Sequence, residues 1–189
     1  MKKLFFSMLL ISIAGLCQAQ TFMQGVGINV VLQSASGFTA DPVGAIIYSP
    51  RVSFMETETS SLSVGIPMSF GISGSYNSMN YGSNSLGLMF DAPIMFNYNY
   101  GAGSSKESED KFGFFAGVGF GYHTNQYIVS DNYGNDYSTK MSGWGPVGNA
   151  GVRIGVGHKS HNIEVRFSYM KTMDDSKSNV IGIGGLFNF

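Results

Sequence analysis

Apolar and polar positions alternate with a period of two along most of this chain, the mark of strands with two unlike faces. In the first segment Phe22, Val26, Ile28, Val30 and Leu32 share one face, and Gly25, Gly27, Asn29 and Gln33 share the other. A second sets Ile46, Tyr48, Val52 and Phe54 against Ala45, Ser49, Arg51 and Ser53. The third is the cleanest, with Leu62, Val64, Ile66, Met68, Phe70 and Ile72 opposing a row of serines and glycines from Ser61 to Ser73. The fourth runs from Leu86 to Tyr100 and opposes its apolar row to Ser85, Gly87, Asp91, Asn97 and Asn99. The fifth sets Phe112, Phe114, Val118, Phe120 and Tyr122 against glycines and His123, and the sixth sets Trp144, Ala150, Val152 and Ile154 against Asn149, Gly151 and Arg153. Ile163, Val165, Phe167 and Tyr169 oppose Asn162, Glu164, Arg166 and Ser168 in the seventh, and Ile181, Ile183, Phe187 and Phe189 oppose Gly182, Gly184 and Asn188 in the eighth. Eight strands make the smallest common closed barrel.

The connections alternate in length. Thr57 to Ser60, Gly101 to Lys111 and Gly157 to His161 would lie at one end, and Ser34 to Val43, Gly74 to Asn84, Asn125 to Met141 and Thr172 to Ser178 at the other. Short inner turns paired with longer outer loops are the habit of transmembrane barrels, although the turn around Lys106-Glu107-Ser108-Glu109-Asp110 is long and the last outer loop short. On these strand directions Tyr48, Tyr122, Trp144 and Tyr169 fall near outer ends, and Phe22, Tyr98, Tyr100 and Phe189 near inner ends, as two interfacial girdles. Pro50, Pro67, Pro93 and Pro146 oppose the assignment, because each removes a ladder donor from a sheet without edges. Each is expected to mark a bulge or a local break, and a bulge would reverse the facing of the residues beyond it.

The amino terminus changes the picture of location. Lys2 and Lys3, the apolar run Leu4 to Leu16, and Cys17-Gln18-Ala19 before Gln20 form an export signal, so residues 1–19 are excluded from the fold and the barrel domain is 20–189. The run is too short to be a retained helical anchor across ~30 Å of hydrocarbon, and bulky Leu16 suits a lipid-modified Cys17 poorly. With Cys17, the single cysteine, removed, the mature chain has neither a disulfide nor a thiolate metal site. Charged residues are 12% of the chain and the net charge is -1, which leaves no basic footprint for nucleic acid.

The export signal, read with the closing segment from Val180 to Phe187-Asn188-Phe189, resembles the small OmpA/OmpX-like type of bacterial outer-membrane β-barrel over the whole mature chain. The resemblance implies an all-β, eight-stranded, antiparallel up-and-down transmembrane barrel in the outer membrane of a Gram-negative bacterium. It implies outer-membrane lipid and the barrel-assembly machinery as partners, the latter reading Phe187 and Phe189. With no domain after Phe189, the chain is not expected to anchor peptidoglycan. A soluble secreted sandwich or lipocalin-like barrel remains the competing architecture, since alternation does not say whether the apolar face meets lipid or a core.

Candidate chemistry lies in two places. Arg51, Asp91, Arg153, Glu164 and Arg166 face inward and are expected to form an interior plug in which carboxylates bridge guanidinium groups. The sharper alternative is a narrow pore whose excess arginine favours anions and whose current would change in Arg153→Ser. Tyr76, Met79, Tyr81, Tyr127, Tyr133 and Tyr137 concentrate in the outer loops among Asn, Ser and Gly, a mixture that suits contact with an extracellular ligand or surface. The competing account has them extend the hairpins above the membrane and pack on one another. His123 is a strand histidine with no evident nucleophile, so an enzyme is not expected. The run Asp131 to Asp136 resembles a calcium loop only in composition, and the glycine-rich stretches lack the strand-to-helix setting of nucleotide motifs, so neither metal nor cofactor is expected. The role expected is envelope structure or surface interaction through the loops, with the narrow pore as the second reading and a lipid-active outer-membrane enzyme as a distant third.

Overall fold

The structure, a computed structural model, describes residues 21–35, 38–39, 42–77, 83–130, 136–157, 161–174 and 177–189. The export segment 1–19 and the loop residues Met79, Tyr81 and Tyr133 lie outside them, as does most of the Asp131 to Asp136 run.

All regular structure is β. In chain order the strands are β1 (Thr21–Met23), β2 (Gly25–Ala35), β3 (Phe38–Thr39), β4 (Val43–Tyr48), β5 (Arg51–Phe54), β6 (Ser60–Gly65), β7 (Met68–Asn77), β8 (Ser83–Gly101), β9 (Phe112–Ser130), β10 (Asp136–Gly155), β11 (Asn162–Lys171) and β12 (Asn179–Asn188). β1 with β2, β4 with β5, and β6 with β7 are single staves interrupted briefly, and β3 is a two-residue clip on β2, so eight antiparallel staves remain. The last stave closes on the first from Asn179↔Ser34 to Asn188↔Gly25. Phe189 and Gln24 then exchange backbone hydrogen bonds of 2.8 and 3.0 Å. Closure of this kind pairs the last stave with the first over the span that meets hydrocarbon, where unpaired backbone groups are costly.

The facing is the one the alternation predicts. Ile28, Ile46, Phe70, Ile72, Phe112 and Val118 stand exposed on the outer wall, whereas Asn29, Gln33, Ser63, Asn99, Arg153 and Glu164 are buried inside. An outer wall of this composition meets lipid, because a soluble barrel would turn its apolar row inward.

The prolines do not reverse it. Pro50 and Pro67 sit in the interruptions of their staves, opposite one another, with the Ile66 N–H donating to the Pro50 carbonyl at 3.1 Å. Pairing before and after them keeps one register, as in Tyr48↔Met68 followed by Arg51↔Gly65. Pro93 and Pro146 lie inside continuous β8 and β10, paired with Gly121 and Phe120. None adds a residue, so the expected reversal does not occur. Each costs its own ladder bond, and the long ladders on either side hold the register.

Two further expectations are corrected. Tyr48 donates its hydroxyl to Gln24 Oε1 at 2.6 Å, beside the carboxy-terminal pairing, and so lies toward the inner rather than the outer end. Tyr76, Tyr127 and Tyr137, expected in loops, occupy paired strand positions, with Tyr76↔Asn84, Tyr127↔Thr139 and Tyr137↔Val129. The hairpins simply continue, because serine, threonine, tyrosine and valine beyond the membrane still favour extended backbone. The long inner turn between β8 and β9 folds partly inward. Its first part, Gly101 to Ser105, is buried within the inner mouth of the barrel.

Candidate functional site

The lumen is built from one inward row on each stave, so its chemistry is set by which inward residues share a level. Near the inner end these are Arg51 from β5, Asn99 from β8, Arg153 from β10, Glu164 and Arg166 from β11, and Asn188 from β12. They converge on one carboxylate. Arg153 Nε donates to Glu164 Oε2 at 2.7 Å, Arg51 Nη1 donates to the same oxygen at 3.3 Å, and Arg166 donates to Oε1 from Nε at 2.8 Å and from Nη2 at 2.6 Å. Asn188 Nδ2 adds a bond of 3.2 Å to Oε2. Glu164 is wholly buried and Arg153 is 1% exposed, so these charges gain little from bulk water and depend on one another.

Other guanidinium donors reach a carboxamide, the backbone and a ring. Arg153 Nη1 donates to Asn99 Oδ1 at 2.9 Å and Arg51 Nη2 to the Gly103 carbonyl at 3.2 Å. Ser61 Oγ donates to the Ser104 carbonyl at 2.6 Å, so the folded-in turn is fixed from both sides. Gly103 adopts φ of +70°, which lets its carbonyl point at the arginines at no Cβ cost. Phe115, inward on β9, lies under two guanidinium groups, 4.4 Å from Arg153 and 5.4 Å from Arg166, and a ring face is an apt seat for a desolvated cation. Gly151, across the ladder, leaves the room that ring needs.

Outward of this network the lumen is apolar. Met170 is the second inward residue after Arg166 on β11, past Ser168, and with Val31, Val43, Met89, Met95 and Val147 it forms a buried layer across the barrel. Within its span sits a polar pair, since Asp91 lies between Met89 and Met95 in the inward row of β8. His123 is buried, with Nε2 at 3.4 Å from Gln33 Oε1 and Nδ1 at 3.8 Å from Asp91. No serine, threonine or cysteine nucleophile is hydrogen-bonded to this imidazole among the described residues.

Four of the five predicted lumen charges are thus brought together, and the fifth is not. Asp91 stands eight residues before Asn99 on β8, at the level of His123, and a single glutamate bridges all three guanidinium groups where two carboxylates were expected. The alternation missed Phe115, Gly103 and Ser104. Phe115 was legible, since it falls in the inward row between Gly113 and Gly117, whereas nothing in the local pattern announces that a turn will fold inward. Phe187 and Phe189 both point to the lipid side, their ring centroids 6.2 Å apart. The side chains of Tyr76, Tyr127 and Tyr137 lie outside what the structure describes.

No protein-family model and no curated protein matches the sequence. Solved structures do resemble it in fold. Neisserial surface protein A superposes with a TM-score of 0.58 at 10% identity, over 90% of this chain and 98% of that one. Ail, the attachment invasion locus protein of Yersinia pestis, gives 0.54 at 11% identity, over 91% and 99%. The same protein in complex with the heparin analogue sucrose octasulfate gives 0.51 at 11% identity, over 91% and 100%. The fold is that of the small eight-stranded integral outer-membrane barrels.

Proposed function

We propose that the chain is a non-enzymatic outer-membrane barrel that acts at the cell surface through its protruding hairpins, its lumen serving only to hold the scaffold rigid. In this reading residues 1–19 direct export and are removed, and Phe187 and Phe189 present the last stave to the assembly machinery. The observation that carries it is the division of labour along the staves. A tilted transmembrane strand needs about 9–11 residues. β11 and β12 have 10 each, but β8 and β9 have 19 and β10 has 20, so on one side of the barrel a sheet continues well past the membrane.

That sheet ends on an open edge. β10 pairs with β9 from Asp136, but with β11 only from Val147 onward, so residues 136–143 have a strand on one side alone among the described residues. A free edge of this kind accepts an extended segment of another protein through main-chain hydrogen bonds. The runner-up, a narrow anion pore, requires a path through the folded-in turn, the Glu164 network and the apolar layer, all of them packed.

Two measurements test the reading together. In planar bilayers the purified chain is expected to stay silent across several salts, and steady openings altered in Arg153→Ser would replace this reading with the pore. Cells displaying the chain are expected to enrich extended peptides from a displayed peptide library, and a variant with the β9–β10 hairpin cut back to Asn125 and Met141 to lose that enrichment. Equal capture by the shortened variant would remove the hairpins as the site.

A further inference from the structure

A cavity of about 30 Å³ lies within the lumen, between the Glu164 network and the apolar layer. Its wall includes Asn29, Ser69, Asp91, Asn149, Arg166 and Ser168. At roughly 10–15 Å³ for each water-sized occupant, it has room for two or three small particles.

Donors converge on it. Arg166 is 7% exposed, its Nε and Nη2 are taken by Glu164 and Ser49, and its Nη1 has no protein partner. Ser69 Oγ already accepts a bond of 3.3 Å from Asn29 Nδ2, so its own hydrogen is free to point inward. The Asn149 carboxamide oxygen is also unpartnered, and turning the amide over presents its NH2 instead. Around the cavity itself the free guanidinium donor of Arg166 is the group that favours an anion, because a desolvated cationic donor without a partner is costly. Asp91, the acidic member of the wall, lies 3.8 Å from His123 Nδ1.

We propose that this cavity is a binding site for a small monovalent anion of the halide class, chloride in the cell, held by Arg166 Nη1 with Ser69 and Asn149 as the neutral donors. One such ion uses the free guanidinium donor of Arg166. Its function is to complete the interior of the barrel, which makes it a structural ion and not a permeant one. The neutral rival is ordered water, which satisfies the same donors.

Bromide separates the two, because it follows chloride chemistry and scatters anomalously. The barrel is extracted from membranes and crystallised with bromide in place of chloride throughout. An anomalous peak in contact with Arg166 is expected in the wild-type protein and its loss in Asn149→Asp, which adds a repelling carboxylate at nearly unchanged volume. In solution, exchange of gluconate for chloride at constant ionic strength is expected to raise the thermal midpoint of wild type by a few degrees and to leave Asn149→Asp unmoved. Density without anomalous signal, bromide at surface positions only, or a midpoint indifferent to the anion in wild type would each overturn the proposal. If Asn149→Asp does not fold, Ser69→Ala serves, with a weaker bromide peak expected.

Discussion

At the scale of single residues, Glu164 is the position on which the interior depends most. Its two oxygens accept from three arginines and Asn188, and its loss leaves three cations in a low-dielectric space with only Asn99, Ser49 and backbone carbonyls to face. Glu164→Gln keeps the shape and removes the charge. Breaking a buried ion pair at one partner typically costs about 3–5 kcal/mol, and a loss in that range is expected from the urea midpoint at which the heat-modifiable folded band disappears. Arg153→Ser is expected to cost less, since it removes one cation from a cluster already in positive excess, although its place on Phe115 is vacated. A larger loss for Arg153→Ser than for Glu164→Gln would mean that packing on the ring, not charge, holds the network. The alternation made every one of these charges legible as inward. Which inward charges meet was not legible, because partners on different staves are set by stagger around the barrel, and sequence spacing carries no direct record of stagger. Asp91 illustrates the gap, sharing the facing of the network and not its level.

The staves themselves were legible in type and facing, and their irregularities were not. Proline lacks the donor of a ladder, which argues for a bulge at each site, yet the registers run through all of them unshifted. At Pro93 the reason is visible across the ladder. Its partner is Gly121, where an added Cβ would stand 2.8 Å from the Pro93 Cβ and 3.2 Å from Val147 Cγ2. The glycine admits the ring without a displaced strand. Gly121→Val is therefore expected to lower stability by about 1–3 kcal/mol, the usual range for overpacking, and Pro93→Gly in the same chain, which removes the Cβ that the valine meets, to recover part of that loss. A double-mutant cycle on urea midpoints measures the coupling, and strict additivity would show that Val147, not Pro93, takes the strain. The lengths of β8, β9 and β10 were misread for a related reason: turn-forming asparagine, serine and glycine mark where a hairpin ends only approximately, and paired strand continues into segments of that composition.

For the whole molecule, the question is whether the barrel is a wall or a channel, and the lumen answers with obstructions in series. The Gly101 to Ser105 stretch closes the inner mouth, pinned through Gly103 and Ser104, and the layer of Val31, Val43, Met89, Met95, Val147 and Met170 closes the barrel farther out. The two share no side chain, so removing one leaves the other. The sequence held half of this. Inward Val147 and Met170 are unremarkable in an alternating row, and only the closed geometry brings them together from five staves, whereas the turn drew notice by its length and gave no sign of its direction. Replacing residues 103–109 by a tight glycine turn should accordingly leave the protein silent in planar bilayers, because the apolar layer still excludes a hydrated ion. Adding Met95→Ala and Met170→Ala to that deletion should produce small, steady openings, since both constrictions are then widened at once. Conductance from the turn deletion alone would mean that the apolar layer opens when unsupported from below, and the barrel would then have to be regarded as a channel with the turn as its stopper.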